Sequence, residues 1–385
     1  MADHNINNIL SLFGAFHSNK KLEIIVQMRD LLQFRGTPPE SSPSEAGSLS
    51  RCEEHSISLP TQTGPVPPEL VSQLCFSTSM NADLHHSWKD HRVKVAASPY
   101  DYILTLPSKG IRGAFIDSLN VWLGAPEDKT TVIKEVITML HNSSLIIDDF
   151  QDNSPLRRGK PSTHTVFGPA QAINSATYVI VKAIGEMHEI VNYESLAKMT
   201  QMIMTIFQGQ AMDLSWTFNK TVPSIQEYLL MVNDTLELLS LNSQSCVSES
   251  IMESLSSLVS FMGQYFQIRD DYMNLIDVNY TDQKGFCEDL DEGKYSLTLM
   301  HALQSDSTGL LTNVLSMRRL QGSFTREQKT LVLELMKANG SLDWTRLLLS
   351  ALHDRVLTEI GRLEKMAGKD NTALRALVER LKLET

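Results

Sequence analysis

From Tyr100 onward the chain is a succession of long segments in which apolar residues recur every three or four positions, with few strand signals. This period places apolar side chains along one face of an α-helix. The pattern persists to its last segments, Trp344 to Leu352 and Val356 to Leu363. Because such helices bury their apolar faces against one another, the sequence predicts an all-α helical bundle, with residues 96–385 as one domain.

Residues 1–95 have a different texture. Ile9 to Phe34 has an amphipathic pattern that fits one or two helices. Between about residues 36 and 68, runs of Pro, Ser and Gly interrupt any periodic pattern, as is typical of a disordered linker. We therefore expect an N-terminal extension that contains a Pro/Ser-rich linker. The sequence does not indicate its role.

Composition narrows the class of protein. A formal net charge of -11 argues against a general nucleic-acid binder. The four cysteines form no CxxC pair, which disfavours a zinc site or a disulfide framework. No apolar run is long enough to span a membrane, and the N-terminus lacks the regions of a signal peptide. We expect a cytoplasmic protein without an integral membrane segment.

Two acidic clusters, at residues 148–152 and 270–274, each follow an apolar stretch with helical spacing. Positions i, i+1 and i+4 share one face of a helix, so the carboxylates of each cluster can converge. Oxygen-only clusters suit Mg²⁺, which is held by one or two carboxylates together with substrate phosphate oxygens. A single such cluster is often a solvated acidic face, but apolar flanks place both at the wall of a core, where unpaired like charges are costly. The converging side chains are Asp148, Asp149 and Asp152 in the first cluster, and Asp270, Asp271 and Asn274 in the second.

Basic residues near these clusters are candidates for phosphate binding. Arg157 and Arg158 follow the first cluster closely, and Lys109 and Arg112 are spaced to meet one phosphate group. His141 lies about two helical turns before the first cluster on the same face. Taken alone, each of these groups has a simpler interpretation. Arg157 and Arg158 could form an ordinary surface turn, Lys109 and Arg112 could be two cations with no functional role, and His141 could be a histidine packed in the core. Lys284 and Lys294 flank an acidic stretch that, by itself, reads as a solvated loop.

Taken together, these motifs resemble the trans-isoprenyl diphosphate synthase family, and within it the fungal geranylgeranyl diphosphate synthases and the prenyltransferase domain of fungal bifunctional terpene synthases. The resemblance spans roughly residues 95–385. The matching segments are residues 99–102, 107–112, 140–159, 209–214, 266–275 and 284–294.

The resemblance implies an isoprenoid synthase bundle of about ten helices around a central cavity, usually a homodimer. It also implies roles for named residues. Asp148, Asp149, Asp152, Asp270 and Asn274 would hold Mg²⁺ on an allylic diphosphate. Arg157, Gln267, Asn274, Lys284 and Lys294 would contact that diphosphate, and Lys109, Arg112, His141 and Arg158 would bind isopentenyl diphosphate. The allylic substrates would be dimethylallyl, geranyl and farnesyl diphosphate, and the product geranylgeranyl diphosphate for a diterpene or indole-diterpene pathway.

Product length depends on what lies beneath the first cluster. One turn before Asp148 the wall residues are Ser143 and Ser144, whose small side chains leave room where an aromatic ring would stop a short product. This favours a product of twenty carbons, with twenty-five as the alternative. The other interpretation is that both serines pack against a neighbouring helix.

One departure from the family pattern lies near Asn233 to Leu238. Fungal relatives have a Lys-Thr-Gly segment that contacts the allylic diphosphate, and this chain has no lysine there. Loss of a phosphate-binding cation weakens transition-state stabilisation. The departure keeps two alternatives open: transfer of a geranylgeranyl group to an indole acceptor, and a non-catalytic or impaired subunit of an active synthase. A third alternative is the prenyltransferase part of a two-domain terpene synthase, which the short stretch before residue 95 disfavours.

Overall fold

The computed structural model describes residue 68 and residues 82–236, 249–277 and 285–383; for residues 82–87, 234–236, 249 and 319–321 it describes the backbone alone. The chain divides into two compact units, one of Met1–Ala15 with Lys94–Thr385 and the other of Phe16–Val93. The described part of the second unit is helical. The predicted linker and most of the N-terminal extension lie outside the described residues.

The described residues confirm the all-α fold class, since their regular structure is helical apart from one short hairpin. In chain order the elements are α1 Ala82–Leu104, α2 Ile111–Leu123, α3 Glu127–Gln151, β1 Leu156–Arg157, β2 Lys160–Pro161, α4 Thr163–Phe167, α5 Pro169–His188, α6 Tyr193–Asn219, α7 Ile225–Leu236, α8 Glu249–Ile276, α9 Glu288–Glu292, α10 Leu297–Ser305, α11 Leu310–Gln321, α12 Arg326–Ala338, α13 Ser341–Ala367 and α14 Thr372–Glu379.

The long helices pack through the apolar faces that the sequence predicts. The largest core cluster joins α2, α7, α8, α13 and α14, and includes the fully buried Leu258, Met262, Leu348 and Leu352. A second cluster joins α2, α3, α5 and α6 through side chains such as Val136 and Met199. Fully burying each such side chain contributes roughly 1.5–3 kcal/mol. Together the two clusters fix α3 and α8, the helices that carry the acidic clusters.

The chain turns sharply where α3 ends. The Asp152 N–H donates to the carbonyl of Asp148, closing the last turn, and Asn153 then adopts a left-handed backbone with φ 57°. A two-residue turn joins β1 to β2, and its residues Arg158 and Gly159 have φ 55° and 75°. Positive φ at both positions is the signature of a type I′ hairpin turn. The reversal after α3 places Arg157, the last residue of β1, beside the first acidic cluster.

Among the described residues, none of the helices combines the length and the apolar character needed to cross a membrane.

Candidate active site

The first acidic cluster is paired with an arginine from the hairpin. Asp149 is fully buried, and its Oδ1 accepts from Arg157 Nε at 2.7 Å and also from Arg157 Nη2. The same Nη2 lies 3.4 Å from Asp148 Oδ2. Burial alone would lower the pKa of Arg157, but the Asp149 and Asp148 carboxylates raise it above its ordinary value. Arg157 is therefore a permanent cation that holds the cluster together.

Lys294 approaches the first cluster from the segment after α9. Its Nζ lies 2.5 Å from Asp152 Oδ2 and 2.8 Å from Glu292 Oε2. Burial would lower the pKa of Lys294, but Asp148, Glu292 and Asp152 raise it well above its ordinary value. Burial, Asp148 and Glu292 raise the pKa of Asp152 to about 7, although Lys294 opposes them. One lysine does not offset the negative charge gathered around it.

Helix α6 adds two residues to which the sequence motifs assigned no role. Gln210 Nε2 donates to Asp148 Oδ1 at 3.3 Å and to Gln151 Oε1 at 3.1 Å. Burial raises the pKa of Asp213 to about 6, assisted by Asp148, Asp289 and Glu292. Their spacing of three residues was the available signal, because it puts both on one face of a helix whose next turn is also polar.

In the second cluster, Asp271 accepts hydrogen bonds from neutral groups. Asp271 Oδ2 accepts from the Tyr228 hydroxyl at 2.9 Å, and its Oδ1 accepts from Gln267 Nε2 at 2.9 Å. Burial, followed by the nearby Asp289, raises the pKa of Asp271 to about 7. Asp271 belongs to the second cluster by helical spacing, although the resemblance assigned it no role. Gln267, which was expected to contact a diphosphate, donates a hydrogen bond to it.

The other two members of the second cluster differ in position. Asp270 is exposed, whereas Asn274 is buried and its Oδ1 accepts from the backbone N–H of Asp289 at 3.4 Å. Asn274 Nδ2 has no hydrogen-bond partner among the described residues. The proposed role of Asn274 as a ligand therefore requires its amide to turn from α9 toward Asp270.

The donor set fits a hard divalent cation only if a ligand supplies further oxygens. Within the described ranges, no three His, Cys, Asp or Glu side chains form a group that could hold a metal ion by themselves. Burial is the first cause of the raised pKa values of Asp152, Asp213 and Asp271, and neighbouring carboxylates raise them further. Carboxylates in this condition favour an incoming cation, and sharing that cation with phosphate oxygens is the usual arrangement for a hard divalent ion.

A cluster of basic side chains lies beside the acidic clusters, and here it is the positive charges that are crowded together. Burial, together with Arg158, lowers the pKa of Arg112 to about 10, with Asp270 opposing them. Burial and the arginines Arg112, Arg158 and Arg157 lower the pKa of His141 well below its ordinary value. Burial and Arg157 also lower the pKa of Arg158. These cations repel one another around a neutral imidazole, an arrangement that an anion relieves.

The remaining predicted site residues differ in exposure and in hydrogen bonding. Lys109 is exposed, in the segment that precedes α2. Ser143 is fully buried, and within the described structure its Oγ has no hydrogen-bond partner. Ser144 is exposed and donates to the His141 carbonyl at 2.7 Å. Lys284 lies outside the described residues.

The departure from the family pattern falls at the end of α7. Asn233 Oδ1 accepts from Ser260 Oγ at 3.0 Å and from Gln264 Nε2 at 2.8 Å, both on α8. This contact ties Asn233 to the helix packed beside it. Residues 237–248 lie outside the described ranges.

Comparison with known proteins gives consistent matches. The family model described as polyprenyl synthetase matches residues 93–331. Geranylgeranyl pyrophosphate synthase 2 of Gibberella fujikuroi is 70% identical over 393 aligned positions that cover 100% of both chains. Fusicoccadiene synthase of Phomopsis amygdali is 44% identical over 89% of this chain, and a bifunctional sesterterpene synthase of Aspergillus aculeatus is 45% identical over 75% of it. The matches span 48% and 41% of those two longer proteins.

Proposed function

Because the chain belongs to the polyprenyl synthetase family, we propose that it is a prenyltransferase that condenses isopentenyl diphosphate with dimethylallyl, geranyl and farnesyl diphosphate to make geranylgeranyl diphosphate. Residues 96–385 are its catalytic domain. The full-length similarity to a geranylgeranyl pyrophosphate synthase supports the product, and the diphosphate chemistry is argued from the site.

The observation that supports this function is a charge imbalance of opposite sign on the two sides of the site: buried carboxylates on one side and crowded cations on the other. The two acidic clusters contain Asp152 and Asp271, whose pKa values are raised. The same clusters also contain Asp270, which acts on Arg112, and Asp149, which acts on Arg158. The pKa values of Arg112 and His141 are lowered. A site that needs added cations on one side and an added anion on the other accommodates two diphosphates, one carried with metal ions and one without.

In this reading the acidic side binds the allylic diphosphate with Mg²⁺. Asp148, Asp149, Asp152, Asp270 and Asn274 would hold the ions, which supply positive charge for the departing pyrophosphate. Arg157, Gln267, Lys284 and Lys294 bind the same group and stabilise its developing charge. On the basic side Lys109, Arg112, His141 and Arg158 orient isopentenyl diphosphate.

The reaction then needs no side-chain nucleophile. The allylic carbon–oxygen bond breaks and its electron pair leaves with pyrophosphate, producing a delocalised carbocation. The double bond of isopentenyl diphosphate attacks this carbocation and forms the new carbon–carbon bond. Loss of a proton to pyrophosphate restores the double bond. The protein's part is to place the two substrates, exclude water and stabilise the charge of the leaving group.

The deciding experiment incubates purified full-length protein with Mg²⁺, isopentenyl diphosphate and each allylic diphosphate in turn, followed by dephosphorylation and chain-length analysis of the alcohols. Geranylgeraniol is the expected product from all three. Absence of elongation combined with prenyl transfer to indole-3-glycerol phosphate would replace this function with the indole-acceptor alternative. Asp148→Ala and Asp270→Ala should each abolish elongation, and full activity in both would refute the two-cluster mechanism.

Product length is tested at the exposed serine. Ser143 is enclosed, so a larger side chain there overpacks the core, whereas Ser144 has open space beside it. If Ser144 faces the growing chain, Ser144→Phe shifts the main product from twenty to fifteen carbons. A twenty-five-carbon main product from the unmodified protein would instead support the longer alternative. An unchanged product in the variant would remove Ser144 from the cavity wall.

A homodimer is proposed from an apolar seam along α6. Met204, Phe207, Ala211 and Phe218 are exposed and recur at helical spacing on one face. Such a stripe on a helix is suited to self-association with a second copy. Light scattering should give twice the chain mass, and Phe207→Asp should give a monomer, with Val181→Asp at an exposed apolar residue of α5 as the matched control. A monomeric unmodified protein would contradict this assembly. A cytoplasmic location remains a prediction from the sequence.

A further inference from the structure

The acidic segment between α8 and α10 is anchored by an arginine from α11. Arg318 Nε donates to the Asp291 carbonyl at 2.5 Å, and Arg318 Nη2 donates to the Glu292 carbonyl at 2.5 Å. One planar guanidinium therefore holds two consecutive carbonyls at the end of α9. The fork geometry of arginine fixes a backbone in a way that the single ammonium of lysine does not.

Gly293 allows this close approach. Its φ of +78° is left-handed, and a Cβ added there would lie 1.6 Å from Arg318 Nη1. The guanidinium thus occupies the place where any other residue would put its side chain. Gly293 is required by its backbone conformation and by the arginine lying against it.

A second cation fixes the same segment from α12. Lys329 is buried, pairs with the Asp291 carboxylate and donates to the Phe286 carbonyl at 2.6 Å. The Phe324 N–H donates to Asp291 Oδ1 at 2.8 Å. The stretch that the sequence alone presents as a solvated charged loop is therefore a packed one-turn helix with inward-facing carboxylates.

The Glu292 side chain links this anchored segment to the first acidic cluster. Its Oε1 accepts from Ser154 Oγ, in the turn that follows α3, and its Oε2 lies 2.8 Å from Lys294 Nζ. Lys294 in turn reaches Asp152 at 2.5 Å. Glu292 thus sets the distance between the Lys294 ammonium and the end of α3.

We propose that Arg318 and Glu292 are positioning residues for Lys294: they hold its ammonium at the end of α3 before the allylic diphosphate binds. This role rests on the proposed function, in which Lys294 contacts that diphosphate. A lysine side chain has four rotatable bonds, so a free one must be ordered when the ligand arrives. Fixing the Lys294 backbone with Arg318 and its ammonium with Glu292 removes that ordering from the binding step.

The test compares Arg318→Lys, which keeps the charge but loses the fork, with Arg362→Lys, a matched change at an exposed arginine of α13 that pairs with Glu359 on its own helix. Glu292→Gln removes the carboxylate charge at nearly constant shape. Calorimetry measures binding of pyrophosphate in the presence of Mg²⁺, and kinetics measure KM for farnesyl diphosphate and for isopentenyl diphosphate separately.

We expect Arg318→Lys and Glu292→Gln to weaken pyrophosphate binding with Mg²⁺ and to raise KM for farnesyl diphosphate, each by about tenfold, the lower end for residues that orient a ligand-binding group. KM for isopentenyl diphosphate should stay within about twofold, and Arg362→Lys should match the unmodified protein in every measurement. This split separates positioning of Lys294 from general damage, which raises both KM values together.

Unchanged binding in both variants, or an equal rise of both KM values, would overturn the assignment. If a variant does not fold, Ser154→Ala tests the same link by removing one hydroxyl, and unchanged pyrophosphate binding there would count against it. If the unmodified protein makes no elongated product, the proposed function fails, but the pyrophosphate measurement still decides whether Arg318 and Glu292 act on Lys294.

Discussion

The acidic and basic sides of the candidate site depart from electrostatic balance in opposite directions. On the acidic side, at the ends of α3 and α8, burial and then neighbouring carboxylates raise the pKa values of Asp152 and Asp271 to about 7. On the basic side, burial and neighbouring arginines lower the pKa values of Arg112 and His141. Each side is held in an unfavourable charge state by a rigid helical frame, as is common at functional sites.

The difference supports the proposed assignment of a ligand to each side. Added cations would stabilise the acidic side and an added anion the basic side, so in this proposal one diphosphate binds with metal ions and the other without. Within the acidic side the two clusters also differ. The first is paired with Arg157 and Lys294, whereas Asp271 of the second is bonded to Tyr228 and Gln267, which carry no charge.

The largest effect is expected from breaking the acidic side at its most buried carboxylate. Asp149→Asn keeps the shape of the side chain but removes the charge that pairs with Arg157 and would bind metal. We expect kcat/KM for elongation to fall about 10³-fold, the upper range for removing one preorganised charge-stabilising group. Steady-state kinetics measure this, and Asp343→Asn, at a largely exposed aspartate, is the matched control. A loss below tenfold would mean that Asp149 is structural.

The corresponding substitution on the basic side is Arg112→Met. Removing one charged hydrogen-bond donor costs roughly 2 kcal/mol, so KM for isopentenyl diphosphate should rise about thirtyfold. KM for farnesyl diphosphate should change little, because that ligand binds on the acidic side. Initial rates with each substrate varied in turn separate the two constants, with Arg362→Met as the control. An equal rise of both constants would show that the two sides do not act separately.

Ligand binding to the unmodified protein tests the comparison directly. With EDTA present, pyrophosphate at about ten times its Kd should raise the free energy of unfolding by about 1.4 kcal/mol through the basic side. Adding Mg²⁺ in excess of pyrophosphate should add a second increment through the acidic side. Arg112→Met should lose the first increment and Asp149→Asn the second. Loss of both increments in either variant would contradict two separate subsites.

Much of this arrangement could be predicted from sequence because it is local. Helical periodicity placed the first cluster at the end of a long helix, and the closeness of Arg157 in sequence predicted that it reaches the same group. The reversal at the end of α3 is also local, since the Ser154 N–H donates to the Asp149 carbonyl three residues before Arg157.

What the sequence analysis missed depends on contacts between residues far apart in the chain. Asp271 accepts a hydrogen bond from Tyr228 on another helix. Glu292 accepts one from Ser154, which precedes it by 138 residues. Charge patterning alone makes the segment around Glu292 read as a solvated loop, because the anchoring Arg318 comes from a later helix. Helical spacing also could not predict the orientation of the Asn274 side chain, because its Oδ1 accepts a hydrogen bond from the backbone N–H of Asp289, which lies on another element.

The smallest expected effect is a pH dependence that belongs to the basic side alone. Burial and three arginines keep the pKa of His141 well below its ordinary value of 6.5, so the folded state holds a neutral imidazole where the unfolded chain takes up a proton. Because the unfolded state binds more protons, stability falls as pH drops below 6.5. From this group alone the loss is about 1 kcal/mol between pH 6.5 and 5.5.

Urea unfolding of the unmodified protein and of His141→Gln across this range measures that loss, because glutamine takes up no proton in either state. His188→Gln, at an exposed histidine of α5, is the control. The difference in slope should shrink when pyrophosphate is bound without metal, since an anion beside Arg112 and Arg158 makes a protonated His141 less costly. An equal dependence of the unfolding free energy on pH in all three proteins would mean that the folded protein tolerates a protonated His141. The repulsion between this imidazolium and the neighbouring arginines would then be weaker than their crowding indicates.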